Sequence, residues 1–440
     1  MKRTLILIFL FLIFYISESQ MYYWNKVFDC NNISSFCNGI QNIDSNNIIA
    51  VFSPHLAGRL VVKSTDAGKN WSSILADTNT IGHYGRIFYA TDLSCPTKDF
   101  ILISCSENKF IKSTDGGKTW QEKEIISLNY EKLIFKADML TENIGIMSKQ
   151  YKIFHTTDGF NTLDTIEPAF RYSICSIRML DTNTICAAAI HLQETGITDT
   201  LVKFIKSTDL GKTWSIIALK GIEYPADMKF IDSSTGYLVG DKRINIGDQR
   251  RNLVFKTSNG GLSWKKVLDD IPYNTFGLQR LDILDKETII AVGQFGRIYW
   301  TTNSGASWYN NIPDIFKVEY PATMNVCILD KNTALIGEYF GRIYKSFLST
   351  EIKVDQYEGD LKVFPNPAKD YINIIYKSEN QDNQSIDLVI LDNLGQELDI
   401  QKDQEIDSIE KINYHLNISN LAPGVYFIKI GDRFEKFVKM

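Results

Sequence analysis

The chain has 440 residues, 44% hydrophobic and 12% aromatic, enough apolar surface for a large core and more than one domain. Its net charge of -5 comes with no basic stripe, which argues against nucleic-acid binding. Five histidines without a zinc-type spacing, no Gly-rich phosphate loop and no serine nucleophile elbow leave no cofactor and no metal to assign.

The first element reads as a secretory leader. Lys2 and Arg3 form a positive n-region, residues 4–16 an apolar stretch, and Ser17-Glu18-Ser19 supply small residues for cleavage, so residues 1–19 are expected to be removed. The stretch is too short for a transmembrane anchor, and no later apolar run is long enough to span a bilayer.

Beyond the leader one turn unit recurs. Its fullest copy is Lys112-Ser-Thr-Asp-Gly-Gly-Lys-Thr-Trp120, and the others start near Lys63, His155, Lys206, Lys256 and Trp300. Their acidic or amide positions are Asp66, Asp115, Asp158, Asp209, Asn259 and Asn303. The steps between them are about 49, 43, 51, 50 and 44 residues, the period of a propeller blade or another stacked repeat. Asp or Asn at such a turn accepts backbone N–H groups, Gly takes positive φ, and the following Trp covers the hairpin corner. A residue repeated this often is a turn device, so these six are expected to be structural and not catalytic. Upstream of each copy lies a strand, a polar turn and an apolar strand, as in Asp227–Gly240 and Asp282–Gly293, which brings the unit to four strands.

The third-strand segment occurs once more, as Phe340-Gly-Arg-Ile-Tyr-Lys-Ser346, with no turn unit behind it. Tyr22-Tyr-Trp24-Asn-Lys-Val-Phe28 has the makeup of the missing outer strand, with Trp24 in the Trp position. Closing the ring with a strand from the other end of the chain removes a free edge. The expected fold is therefore all-β, a seven-bladed propeller over residues 20–348.

The repeated turn resembles the Asp-box of sialidase-like β-propellers; the copy at His155 departs from it, with Phe160 at a Gly position and Leu163 for the Trp. The larger unit from Phe230 to Trp264, with its Phe-x-Asp-x-x-x-Gly-Tyr segment, resembles the photosystem-assembly-factor-like group of seven-bladed propellers, which includes non-catalytic scaffolds. The sialidase resemblance implies glycoside cleavage through three arginines, a Tyr–Glu pair and an Asp acid. Arg59-Leu-Val and Arg86-Ile-Phe do not reproduce that family's Arg-Ile-Pro motif, and no arginine trio can be assigned.

After a polar linker over 349–360, residues 361–440 read as short alternating strands bounded by Pro, Asn and Gly, an Ig-like antiparallel sandwich. Pro365-Asn366-Pro367, the Leu394-Gly395 turn, Leu421-x-Pro423-Gly424-x-Tyr426 and the final Lys-containing strand follow in that order. The segment resembles the C-terminal sorting domain of type IX secretion substrates. That resemblance implies the type IX machinery as a partner, passage through the periplasm, a secreted or outer-cell-surface location, and a bacterium of the Bacteroidetes type.

Cys30 and Cys37 flank a short loop and could form a disulfide. Strand register sets Cys175 apart from Cys186 and turns Cys95 and Cys105 to opposite faces, so these and Cys327 are expected as buried thiols. With catalysis set aside, a binding face remains. The segments leading into the innermost strands carry Tyr84 and Arg86, Arg171 and Tyr172, Tyr224, Phe276 and Arg280, and Tyr320. These could stack on a sugar or clamp a peptide, or instead fill the gaps between blades. The expected function is non-catalytic binding of an extracellular protein, peptide or glycan; the alternative is a divergent glycan-degrading hydrolase. A binder should show a ring of aromatics in the channel, an enzyme two or three converging carboxylates.

Overall fold

The computed structural model describes residues 22–30, 35–54, 58–77, 89–106, 108–125, 136–191, 202–244, 250–271, 277–294, 296–310, 323–348, 361–364, 366–377, 388–392, 396–398, 402–408, 411–430 and 433–440. Residues 1–350 and 351–440 form two compact units. The leader and the linker lie outside the described residues.

The strands of the first unit form seven four-stranded antiparallel sheets. Their inner strands are Ser35–Asn42, Ala90–Ser94, Lys136–Met139, Tyr172–Met179, Tyr224–Phe230, Leu278–Ile283 and Thr323–Asp330. Neighbouring inner strands pack together in cyclic order, the seventh against the first, so the sheets are the blades of a closed propeller. The seventh blade takes its outer strand from the start of the chain: Tyr22–Asp29 pairs with Arg342–Leu348, with Trp24 opposite Ser346.

The apolar second strands explain why blades stack. In Ile48–Pro54 alternate residues face opposite ways, and both directions are dry. Ile48, Ala50 and Phe52 pack with Cys327, Leu335 and Ile343 of the seventh blade. Ile49 and Val51 pack with Ile101, Ile103 and Ile111 of the second. Trp24 is buried between the sixth and seventh blades, beside Trp300 and Tyr344, so the borrowed strand contributes core as well as hydrogen bonds.

The turn units are closed hydrogen-bond knots. Ser113 Oγ donates to Asp115 Oδ1 (2.8 Å) and accepts the Gly117 N–H (2.8 Å). Thr119 donates through its N–H (2.9 Å) and hydroxyl (2.6 Å) to Asp115. Two successive left-handed residues make the bend, Gly116 and Gly117 here. In the divergent third copy Phe160 holds the second of these positions at φ 61°. Its ring, 1% exposed, packs on Phe110 with centroids 5.6 Å apart, which is what the substitution gains.

The lysine that opens a unit also ties blades together. Lys112 Nζ donates to the Gly159 carbonyl of the next blade (2.6 Å), Lys206 to Gly260 (3.0 Å), Lys256 to Ser304 (3.3 Å), and Lys345 closes the circle onto Ala67 (2.7 Å). His155, in the same position of the third copy, is buried, and burial lowers its pKa.

The proposed Cys30–Cys37 bridge is not present. Cys37 is a fully buried thiol whose sulfur packs against Gly337 of the seventh blade, and it donates to the Gly39 carbonyl. Its direction is set by the inner strand on which it sits.

In the second unit two four-stranded sheets enclose one core. Val363, Ile372, Ile374, Tyr414 and Leu416 come from one sheet, and Leu388, Ile390, Tyr426, Ile428, Ile430 and Phe437 from the other. Asn366 holds the last strand, donating to the Lys436 carbonyl and accepting the Val438 N–H, each at 2.9 Å. Its bond to Pro367 is cis. Tyr426, two residues into the strand that Gly424 opens, donates to the Ala422 carbonyl (2.8 Å). Pro365 and Gly395 lie outside the described residues.

Candidate binding site on the channel

The inner strands bring one or two polar side chains per blade to the propeller axis, and these form a girdle that crosses every blade junction. Gln41 both accepts the Cys95 N–H (3.0 Å) and donates to the Cys95 carbonyl (3.1 Å). Asp92 accepts the Ala137 N–H (3.1 Å), and Asp138 accepts the Met179 N–H (2.7 Å). Ser176 accepts the Met228 N–H (3.1 Å), beside an Arg178–Asp227 ion pair of 2.7 Å. Asp227 reaches the Leu281 N–H (3.3 Å) and Asp282 the Ile328 N–H (2.7 Å). Asn325 completes the circle by donating to the Cys37 carbonyl (2.8 Å).

Burial and charge set opposite states along this girdle. Burial pushes the Asp138 carboxyl up, with Arg178 and the Met179 N–H opposing it. Burial acts the same way on Asp227, but Arg178, Arg280, Lys229 and Lys136 outweigh it and hold that carboxyl below its ordinary range. A small cavity of about 130 Å³ runs through the girdle, lined by Asp92, Lys136, Asp138, Arg178, Asp227, Lys229 and Arg280 among others.

A larger cavity, about 480 Å³, opens where the inner strands begin. Ile174, Pro225 and Ala226 give it apolar wall, Tyr89 and Tyr224 aromatic wall, and Lys136, Asp241, Arg250 and Arg280 its charge. Arg250 pairs with Asp241 (3.0 Å) and lies over the Tyr224 ring, 4.7 Å from its centroid. Asp241 is 2% exposed; burial raises its pKa to about 6 against the pull of Arg250.

Of the residues singled out in the sequence, Tyr224 and Arg280 line this cavity. Arg171 and Tyr172 are placed elsewhere. Arg171 covers Tyr151 and donates to its hydroxyl (2.6 Å), and Tyr172 stacks on Phe170 with centroids 5.3 Å apart. Tyr84, Arg86, Phe276 and Tyr320 lie outside the described residues. The described lining of the smaller cavity holds no aromatic side chain and mixes charged residues with apolar and neutral polar ones. Carboxylates do converge there, yet each accepts an N–H of the next blade. Lys136, Asp92, Asp138, Asp241 and Arg250 escaped the sequence reading. For Lys136 and Asp138 the available signal was charge at alternate positions of an inner strand, as also in Asp227/Lys229 and Arg280/Asp282. Among the described residues no group of three His, Cys, Asp or Glu could hold a metal ion.

Comparison with known proteins fits this architecture. Residues 362–440 match the secretion system C-terminal sorting domain, and residues 206–351 match the photosynthesis system II assembly factor YCF48. A stretch of 134 residues is 29% identical to the photosystem II assembly lipoprotein Ycf48 of Synechococcus sp. (strain CC9902), covering 30% of this chain and 37% of that protein. The match thus spans little more than a third of the relative's length. The structure of YCF48 bound to D1 peptide superposes at TM-score 0.53 and 12% identity, over 74% of this chain and 94% of the other. The GH74 xyloglucanase of Xanthomonas campestris also gives TM-score 0.53 at 12% identity, over 81% of this chain and 60% of the enzyme. At such identities the likeness is one of fold, and the fold serves binding protein and enzyme alike. Turn units, blade count and terminal motifs converge with these matches: the chain joins a BNR, YCF48-like propeller domain to a type IX secretion C-terminal sorting domain.

Proposed function

We propose that the propeller is a non-catalytic receptor, exported by its sorting domain, that holds a segment of another extracellular protein in the cavity where the inner strands begin. The observation that carries this reading is the composition of that cavity. Apolar wall, the Tyr224 face and fixed cations suit a peptide segment presenting both apolar and anionic groups. The likeness to a YCF48 solved with a bound peptide supports the same reading. Glycoside cleavage needs an acid and a second carboxylate facing the substrate. The channel carboxylates Asp92, Asp138, Asp227 and Asp282 instead bind backbone N–H groups of adjacent blades. The sorting domain implies contact with the type IX machinery and a secreted or cell-surface destination.

The test is a displayed-peptide selection against the chain from residue 20 to 440, with the Tyr224→Ala variant beside it. Selected peptides are expected to bind the variant at least about tenfold more weakly, a loss of about 1.4 kcal/mol, with its thermal unfolding unchanged. Failure to select any peptide, or turnover of a glycan substrate by the wild type, would overturn the reading.

A further inference from the structure

Two cations lie between the channel and the larger cavity without a carboxylate in salt-bridge contact. Lys136 opens the third inner strand and Arg280 lies within the sixth, and each lines both cavities. Among the described residues neither makes an ion pair; Arg280 Nη1 donates to the Gln279 carbonyl (3.0 Å). The surrounding carboxylates make their direct contacts elsewhere, Asp92 and Asp138 with N–H groups, Asp227 with Arg178 and an N–H, and Asp241 with Arg250; Asp92 and Asp227 act on Lys136, and Asp227 on Arg280, only through space. The other channel cations provide a contrast on the same girdle, since Arg178 is paired with Asp227 and Lys229 with Asp282, both at 2.7 Å. Burial, and then repulsion from Arg280, lower the pKa of Lys136 to about 8 against the pull of Asp92 and Asp227. Like charges brought together in a partly desolvated cavity destabilise the fold unless something neutralises them.

We propose that Lys136 and Arg280 form an oxyanion site, which takes a carboxylate, sulfate or phosphate group between the third and sixth blades. Ammonium and guanidinium groups both make charge-assisted hydrogen bonds to such an anion. The adjoining cavity has room for a larger molecule bearing the anionic group, so a free ion and a group on a larger ligand share one chemistry. The inference does not depend on that ligand being a peptide.

The test uses the chain from residue 20 to 440 at constant ionic strength, with sulfate and inorganic phosphate as probes and chloride as reference. Equilibrium dialysis is expected to show saturable binding of one anion per chain, accompanied by a rise in Tm. Lys136→Met and Arg280→Met should each weaken that binding at least about tenfold. Lys265→Met, which removes the same charge from the exposed outer strand of the fifth blade, should leave it unchanged. In chloride Lys136→Met should unfold at a higher temperature than the wild type, because no charge is then held against burial and the repulsion of Arg280; a purely structural lysine would do the opposite. Absence of saturable binding, equal binding by the Met variants, or a Lys136→Met variant that fails to fold in chloride would each overturn the site. Displacement of sulfate by acidic peptides at far lower concentration would identify a group on a larger ligand, and its absence a free ion.

Discussion

Two kinds of side chain do one job in the turn units, and they titrate differently. Asp66, Asp115, Asp158 and Asp209 each have a pKa lowered from 3.8 to about 2 by hydrogen bonds from the residue four positions on, through its side chain and backbone. Asn259 and Asn303 close the same knot without a charge: Asn303 Oδ1 accepts the Ser307 N–H (2.9 Å), and its Nδ2 donates to the Ser307 hydroxyl (2.8 Å). A depressed carboxyl contributes stability that is complete above the unfolded value and is lost as pH falls through the folded one. The four Asp turns should therefore weaken between about pH 4 and pH 2, while the two Asn turns hold. Replacing all four by Asn is expected to leave Tm at neutral pH within a few degrees and to flatten the acid limb of a Tm-versus-pH series. An acid limb as steep as the wild type's would move the effect to the channel carboxylates. This role was legible in sequence because turn chemistry is local: the donors lie within four residues of the acceptor.

The inner strands obey a different rule. Each is the edge strand of its own sheet, so its backbone pairs only within its blade, and the junction between blades is left to side chains. Asp227 is the most connected of these, tied to Arg178 (2.7 Å), to the Leu281 N–H (3.3 Å) and to the Ser176 hydroxyl, which donates to it (3.4 Å). It is 6% exposed, and removing it takes the ion-pair partner from the half-buried Arg178 guanidinium. Asp227→Ala is expected to cost about 3–5 kcal/mol, the range for breaking one partner out of a buried pair. Urea unfolding read by tryptophan fluorescence measures this; a loss no larger than that of an exposed-site control would mean that water replaces the carboxylate. The alternating charges of these strands were plain in the sequence, yet their partners lie some 50 residues away in the next blade. That distance is why the girdle was not legible as a unit.

At the scale of the whole molecule the repeat made the fold readable. Seven third-strand segments, one missing outer strand and one spare strand at the start of the chain leave a single way to close the ring. The terminal unit was readable for another reason, because Asn366 and Tyr426 sit in motifs whose spacing matches a known domain. The cavity was not readable to the same degree. It is assembled from residues contributed by all seven blades, each occurring once, so no repeat marks them. Tyr224 and Arg280 were found because they flank strand starts; Arg171 and Tyr172 share that property and are spent on Tyr151 and Phe170 instead.

The seam of the ring also has a mechanical meaning. Tyr22 lies opposite Leu348 and Asp29 opposite Arg342. Tension applied across residues 22 and 348 therefore loads the pairing hydrogen bonds one after another, like a zipper. Tension across residues 22 and 342 pulls along the strands and loads the same bonds together, in shear. Optical-trap experiments with handles at these positions should rupture the first geometry at a several-fold lower force, provided Trp24 leaves its slot with the strand; equal forces would mean that its buried ring, and not the hydrogen bonds, holds the seam. Load applied at the channel face would spare this seam, whereas load across residues 22 and 348 is expected to open it first.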